Sequence, residues 1–181
     1  MHPQQMERKE IMKQIFAAVL AGLATMAMAA ETNLEIKGPR DYTAWGSPKY
    51  YQTPPTVTLA DGVVKVTCGK TIEGVKPTNF QFAVRSAREY KAGATYTVTF
   101  TLKSNKDVNI KGARANIQHA QAPFKIFGFT PITLTANEAK EFKIVAKMAE
   151  DVTVRTCTPC LHIPLQEGQT LELSNVKFSE E

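Results

Sequence analysis

Past residue 29 the 181-residue chain has no apolar run long enough to span a bilayer, no block of five or six like charges, no internal repeat and no low-complexity tail. These absences exclude a membrane span, a basic arm for nucleic acid, a solenoid and a disordered linker. Lys and Arg outnumber Asp and Glu by 22 to 17, a formal net charge of +5, but the charges are scattered rather than gathered in a stripe. A nucleic-acid partner is therefore not expected. No segment repeats apolar residues every 3.6 positions over a useful length, which argues against a helical fold. No Ser/His/Asp set is legible and no isolated acidic pair invites a glycosidase reading, so no enzyme is expected. There is one tryptophan, and there are three cysteines.

The first 29 residues read as a signal peptide. Arg8, Lys9 and Lys13 form a basic start, the run Ile15–Ala29 is apolar, and Ala27-Met28-Ala29 is a small-x-small cleavage signal. That run falls short of the about 20 residues a spanning helix needs. The expectation is cleavage after Ala29, export to the periplasm, cell surface or medium, and one domain over residues 30–181.

That domain is strand-rich. In Thr95–Lys103, Tyr96, Val98, Phe100 and Leu102 alternate with Thr95, Thr97, Thr99 and Thr101, the period-2 pattern of a half-buried strand. VTLADGVVKVT (57–67) holds two short β-rich runs around Asp61-Gly62, a strong hairpin signal. NFQFAVRS (79–86) sets Phe80, Phe82 and Val84 against Gln81, Ala83 and Arg85. VNIKGARANIQ (108–118), FTPITLTANEAKEFKIVAKM (129–148), DVTVRT (151–156) and TLELSNVKF (170–178) follow. In the last, Leu171 and Leu173 differ in parity from Val176 and Phe178, which predicts a β-bulge near Ser174-Asn175. The fold class is all-β, a two-sheet antiparallel sandwich. Its predicted core holds Phe82, Val84, Tyr96, Val98, Phe100, Leu102, Phe142, Ile144, Val154, Leu171 and Phe178. Two stretches lack clean periodicity. Residues 27–55 read as a loop carrying Trp45 beside Gly46 and Pro48, and 119–129 read as a long aromatic connection.

The strands LADGVVKVT, NFQFAVRSAREYKAGATYTVTFTLKS, ITLTANEAKEFKIVAK and TLELSNVKF stand in an order that resembles the jelly-roll carbohydrate-binding modules of xylanases and glucanases, in the galactose-binding-domain-like group. The resemblance runs from Trp45 to Phe178. It implies a jelly roll, a non-catalytic role, and glycan or polysaccharide as partner. The family's last strand often carries an Asp before Asn-Val that helps hold a structural calcium. Ser174 stands there instead, which counts against that calcium. No other cofactor is implied.

A sugar site needs aromatic faces to stack on pyranose rings and planar polar groups to bond hydroxyls, both on a rigid concave surface. Arg114, Asn116 and Gln118 alternate on one strand face, about 7 Å apart, opposite Ala113, Ala115 and Ile117. Gln81 and Arg85 lie opposite Phe80 and Phe82, and the outward threonines 95–101 are read as joining the same polar surface. Trp45 and Tyr50 are the aromatic candidates, while Phe124, Phe127 and Phe129 read rather as plugs of a sandwich end. The alternative is an envelope structural or protein-interaction module with the same fold and polar faces that simply meet solvent. A third reading uses Cys68, Cys157 and Cys160. In an exported chain these are disulfide candidates, either as a local Cys157–Cys160 bridge or as Cys68 paired with one of them. Together with His162 they are also legal ligand types for a metal, though C-x₂-C-x-H is not a zinc signature. Pro164 soon after the pair argues against a thioredoxin-type helix.

Overall fold

A computed structural model of the chain describes residues 31–73, 80–86 and 88–181. The segment expected to be a signal peptide and the expected cleavage site after Ala29 lie outside the described residues. Eleven strands and no helix occur among the described residues. They are β1 (Thr32–Asn33), β2 (Tyr42–Gly46), β3 (Thr56–Ala60), β4 (Val63–Thr67), β5 (Phe80–Ser86) and β6 (Thr95–Ser104). Then come β7 (Arg114–His119), β8 (Ile126–Pro131), β9 (Ala139–Lys147), β10 (Thr156–His162) and β11 (Thr170–Glu180).

The strands form two antiparallel sheets. One runs β3-β4-β11-β6-β9, with β1 on the far half of β11, and the other runs β2-β5-β10-β7-β8. The alternating residues of β6 explain the packing between them. Tyr96, Val98, Phe100 and Leu102 are fully buried, and Phe142 sits across from Phe100 with ring centroids 5.8 Å apart. From the second sheet, Phe82, Val84, Ala115, Ile117 and Leu161 close the same core.

The Asp61-Gly62 hairpin is present, with both residues at positive φ, 50° and 74°. The expected bulge in β11 falls between Ser174 and Lys177, with Asn175 at φ 52°. It turns both Leu171/Leu173 and Val176/Phe178 into the core despite their opposite parity.

Four expectations need correction. Val154 is about half exposed, because strand pairing in β10 starts only at Thr156 and the preceding segment does not alternate, whereas Val152 is buried beside Tyr90. The aromatic connection contains a true edge strand, β8. Its Gly128 packs so close to β9 that a Cβ there would meet the Val145 carbonyl oxygen at 2.6 Å. Trp45 lies on edge strand β2 rather than in a loop. The threonine face of β6 belongs to the first sheet, so it looks out on the opposite side of the sandwich from Arg114, Asn116 and Gln118.

Candidate functional site

The outer face of the second sheet is ordered in three rows by strand register. Trp45, Gln81, His162, Arg114 and Pro131 lie side by side in the first. Thr43, Ala83, Cys160, Asn116 and Phe129 form the second. Arg85, Cys157, Gln118 and Ile126 form the third. The face is about 19 Å wide across its five strands. Six of the seven expected ligand-contacting residues therefore share one surface: Trp45, Gln81, Arg85, Arg114, Asn116 and Gln118. Tyr50 does not join them. It follows β2 and packs against the main core, because the chain turns inward toward the buried Tyr51.

The floor is made of small or polar side chains, and its rims are aromatic. Ala83, Cys157 and Cys160 form a second buried cluster, with Ala120 packed against it, on the outer side of the sheet. Trp45 is exposed at the β2 edge and Phe129, 66% exposed, stands at the β8 edge. Phe124 is exposed as well, whereas Phe127 is half-buried against the His119 ring, so only Phe127 behaves as a plug. A cleft of about 380 Å³ opens beside Phe129, lined by Gly112, Ala113, Arg114, Ile126 and Pro131.

A polar chain crosses the floor. Asn116 Nδ2 donates to Gln118 Oε1 at 3.1 Å, and His162 Nε2 lies 3.1 Å from the same oxygen. Since Gln118 Oε1 only accepts, the tautomer that completes this chain carries its proton on His162 Nε2. Burial, and then the charge of Arg114, depress the His162 pKa below its ordinary value, which favours the neutral ring. Asn116 is fully buried, and its Oδ1 has no hydrogen-bond partner among the described residues. A buried acceptor left unmade costs about 1–3 kcal/mol, and because the atom is closed to solvent a donor reaches it only when the side chains over it move aside.

Sequence reasoning missed that the cysteine pair belongs to this floor. Proline in mid-sequence reads as a break, yet β10 is the central strand of its sheet and Pro159 sits inside it. The register shifts between Cys157 and Cys160, a bulge that needs no amide donor from Pro159 and turns both thiols to the outer face. All three cysteines are free thiols. Cys68 lies elsewhere, in the main core with its Sγ 3.6 Å from the Leu165 carbonyl oxygen, so neither a Cys68 bridge to the pair nor a four-ligand metal site with His162 is formed. Burial, then the charge of Glu167, push its thiol pKa up to about 11. In the pair, a hydrogen bond from Cys160 lowers the Cys157 pKa, helped by the charge of Arg85, while Cys160 is raised by donating that bond and by burial. Among the described residues no group of three or more His, Cys, Asp or Glu side chains is placed to hold a metal ion.

No family model matches the chain, and no curated protein is similar to it in sequence. Among solved structures, a CBM4 carbohydrate-binding module shares 18% identity at a TM-score of 0.58, covering 80% of this chain and 97% of its own. The N-terminal cellulose-binding domain of β-1,4-glucanase C from Cellulomonas fimi is similar at 18% identity and a TM-score of 0.58, over 82% of this chain and 94% of that domain. The CBM1 module of BiXyn10A follows at 14% identity and a TM-score of 0.54, over 83% and 96%. The chain thus has the jelly-roll sandwich fold of carbohydrate-binding modules. At these identities the likeness is one of fold, and function has to be argued from the site.

Proposed function

We propose that this protein is an exported, non-catalytic glycan-binding module whose ligand lies across the outer face of the β2-β5-β10-β7-β8 sheet. The observation that carries the reading is the buried, unpartnered Asn116 Oδ1 on a floor rimmed by exposed Trp45 and Phe129. A saccharide hydroxyl donates to that oxygen. Gln81 and Arg114 meet neighbouring hydroxyls, and Trp45 or Phe129 stacks on a ring face. Small side chains at Ala83, Cys157 and Cys160 leave depth for the sugar to approach the sheet.

The bonds to Gln81 and Arg114 each replace one to water and net only about 0.5–1.5 kcal/mol, whereas the bond to Asn116 Oδ1 relieves the about 1–3 kcal/mol cost of an unmade acceptor. Affinity therefore rests on several contacts at once and falls in the range of about micromolar to millimolar. Titration calorimetry of the purified protein against a panel of soluble polysaccharides tests the reading. Binding that is lost on Asn116→Ala supports it. If no glycan binds, the face is an ordinary solvated sheet surface and the protein-interaction reading replaces this one.

A further inference from the structure

The floor carries charge of one sign. Arg85 ends its third row and Arg114 stands in its first, and none of the three rows contains Asp or Glu. Among the described residues, neither arginine has a carboxylate within ion-pair distance; the ion pairs present use Lys37, Lys65, Lys125 and Lys177. Asp41, the acid next to Arg85, accepts from the Lys37 and Gly38 amides at 2.8 and 3.1 Å instead. Both guanidiniums do act on the floor, Arg85 favouring the Cys157 thiolate and Arg114 disfavouring a charged His162. Arg114 is half-buried and lines the cleft beside Phe129, which holds its planar fork next to a ring-stacking surface.

Resting on the glycan-binding reading above, we propose that the preferred ligand is an acidic polysaccharide whose sugar units carry carboxylates. An unpaired guanidinium on a partly dry floor matches a planar carboxylate through two parallel N–H···O bonds, a geometry that a neutral sugar cannot offer. Asn116 Oδ1 calls for a hydroxyl donor on the same ligand, which a simple inorganic anion lacks. From strand spacing and rise, Arg85 and Arg114 stand about 16 Å apart at Cα across the sheet, a span that requires a chain of several sugar units.

The test is affinity electrophoresis and calorimetry of the purified protein with polygalacturonate and alginate as carboxylated chains, dextran sulfate as a sulfated one, and xylan and β-glucan as neutral ones. The expected result is tighter binding of a carboxylated chain, weakened about tenfold by moderate salt and about tenfold or more by Arg114→Gln. Arg114→Lys keeps the charge without the fork and should recover only part of the loss. Arg85→Gln, at an exposed position, gives a second variant that tests the charge without threatening the fold. If neutral chains bind as tightly, with no effect of salt, the inference fails while the glycan-binding function stands. If dextran sulfate matches the carboxylated chains, recognition is of charge alone and carboxylate selection fails. If no polysaccharide binds, both readings fall.

Discussion

Replacing Asn116 by alanine separates a binding floor from a packed interior. Asn116 and Ile117 are neighbours on β7, both with 0% exposure, one facing outward from the sandwich and the other inward. Ile117→Ala removes buried methylenes from the main core and leaves a cavity, so it should cost about 2–5 kcal/mol. Asn116→Ala loses the bond from Nδ2 to Gln118, worth about 1 kcal/mol, but also removes the unpartnered Oδ1, which relieves a penalty of about 1–3 kcal/mol. Gln118 Oε1 still accepts from His162. These terms oppose each other, so the net change in stability should stay within about 1 kcal/mol in either direction. Urea denaturation reads the shift in midpoint for each variant, and calorimetry with the best-binding glycan reads affinity. The expected pattern is a crossed one, with Ile117→Ala unstable yet competent when folded, and Asn116→Ala stable yet weak in binding. If Asn116→Ala unfolds as easily as Ile117→Ala, its amide is structural and the account of the floor is wrong.

Phe100→Ala should destabilise by about 3–5 kcal/mol, since it empties a fully buried site stacked on Phe142, while Thr99→Ala on the outer face should stay within about 1 kcal/mol; equal losses in chemical denaturation would reverse the assignment of faces. Trp45→Ala should weaken glycan binding and abolish any ligand-induced change in tryptophan fluorescence with little loss of stability, and Tyr50→Ala should lower the melting temperature instead, because its ring packs on the core. The folded-state pKa of His162 is depressed below its ordinary 6.5, so its contribution to stability is complete above about 6.5 and is lost as pH falls through the folded value. His162→Gln should flatten that acid limb in denaturation midpoints measured from pH 8 to 4, and an unchanged limb would show that the ring titrates freely. Under mild alkylation with iodoacetamide, peptide mapping should find Cys157 modified before both Cys160 and Cys68, given the lowered pKa of the first and the raised values of the other two.

Local pattern settled a good deal. Alternation in β6 named its inward face residue by residue, Asp61-Gly62 named a hairpin, and a change of parity in the last strand named its bulge. Each of these is a relation between neighbours in the chain, written in residue type and enforced by the two-residue period of a strand. Arg114, Asn116 and Gln118 were visible as one face for the same reason. Which sheet that face belonged to was not visible. Only the pairing of β7 with β10 and β8 put those residues beside Gln81, Arg85 and Trp45, and put the β6 threonines on the far side of the sandwich. The placement of the cysteine pair was not legible because Pro159 lacks an amide and is tolerated inside a central strand only where a bulge removes the need for a donor, and that bulge is a matter of pairing with β5 and β7. Phe129 was hidden because β8, half-exposed and with Gly128 at its middle, has no apolar alternation to announce it, and it becomes a strand by bonding to β7 and resting on β9. Residue type fixed which faces are polar, and the long-range pairing of strands decided which of those faces meet, because register is a contact between residues far apart in the chain.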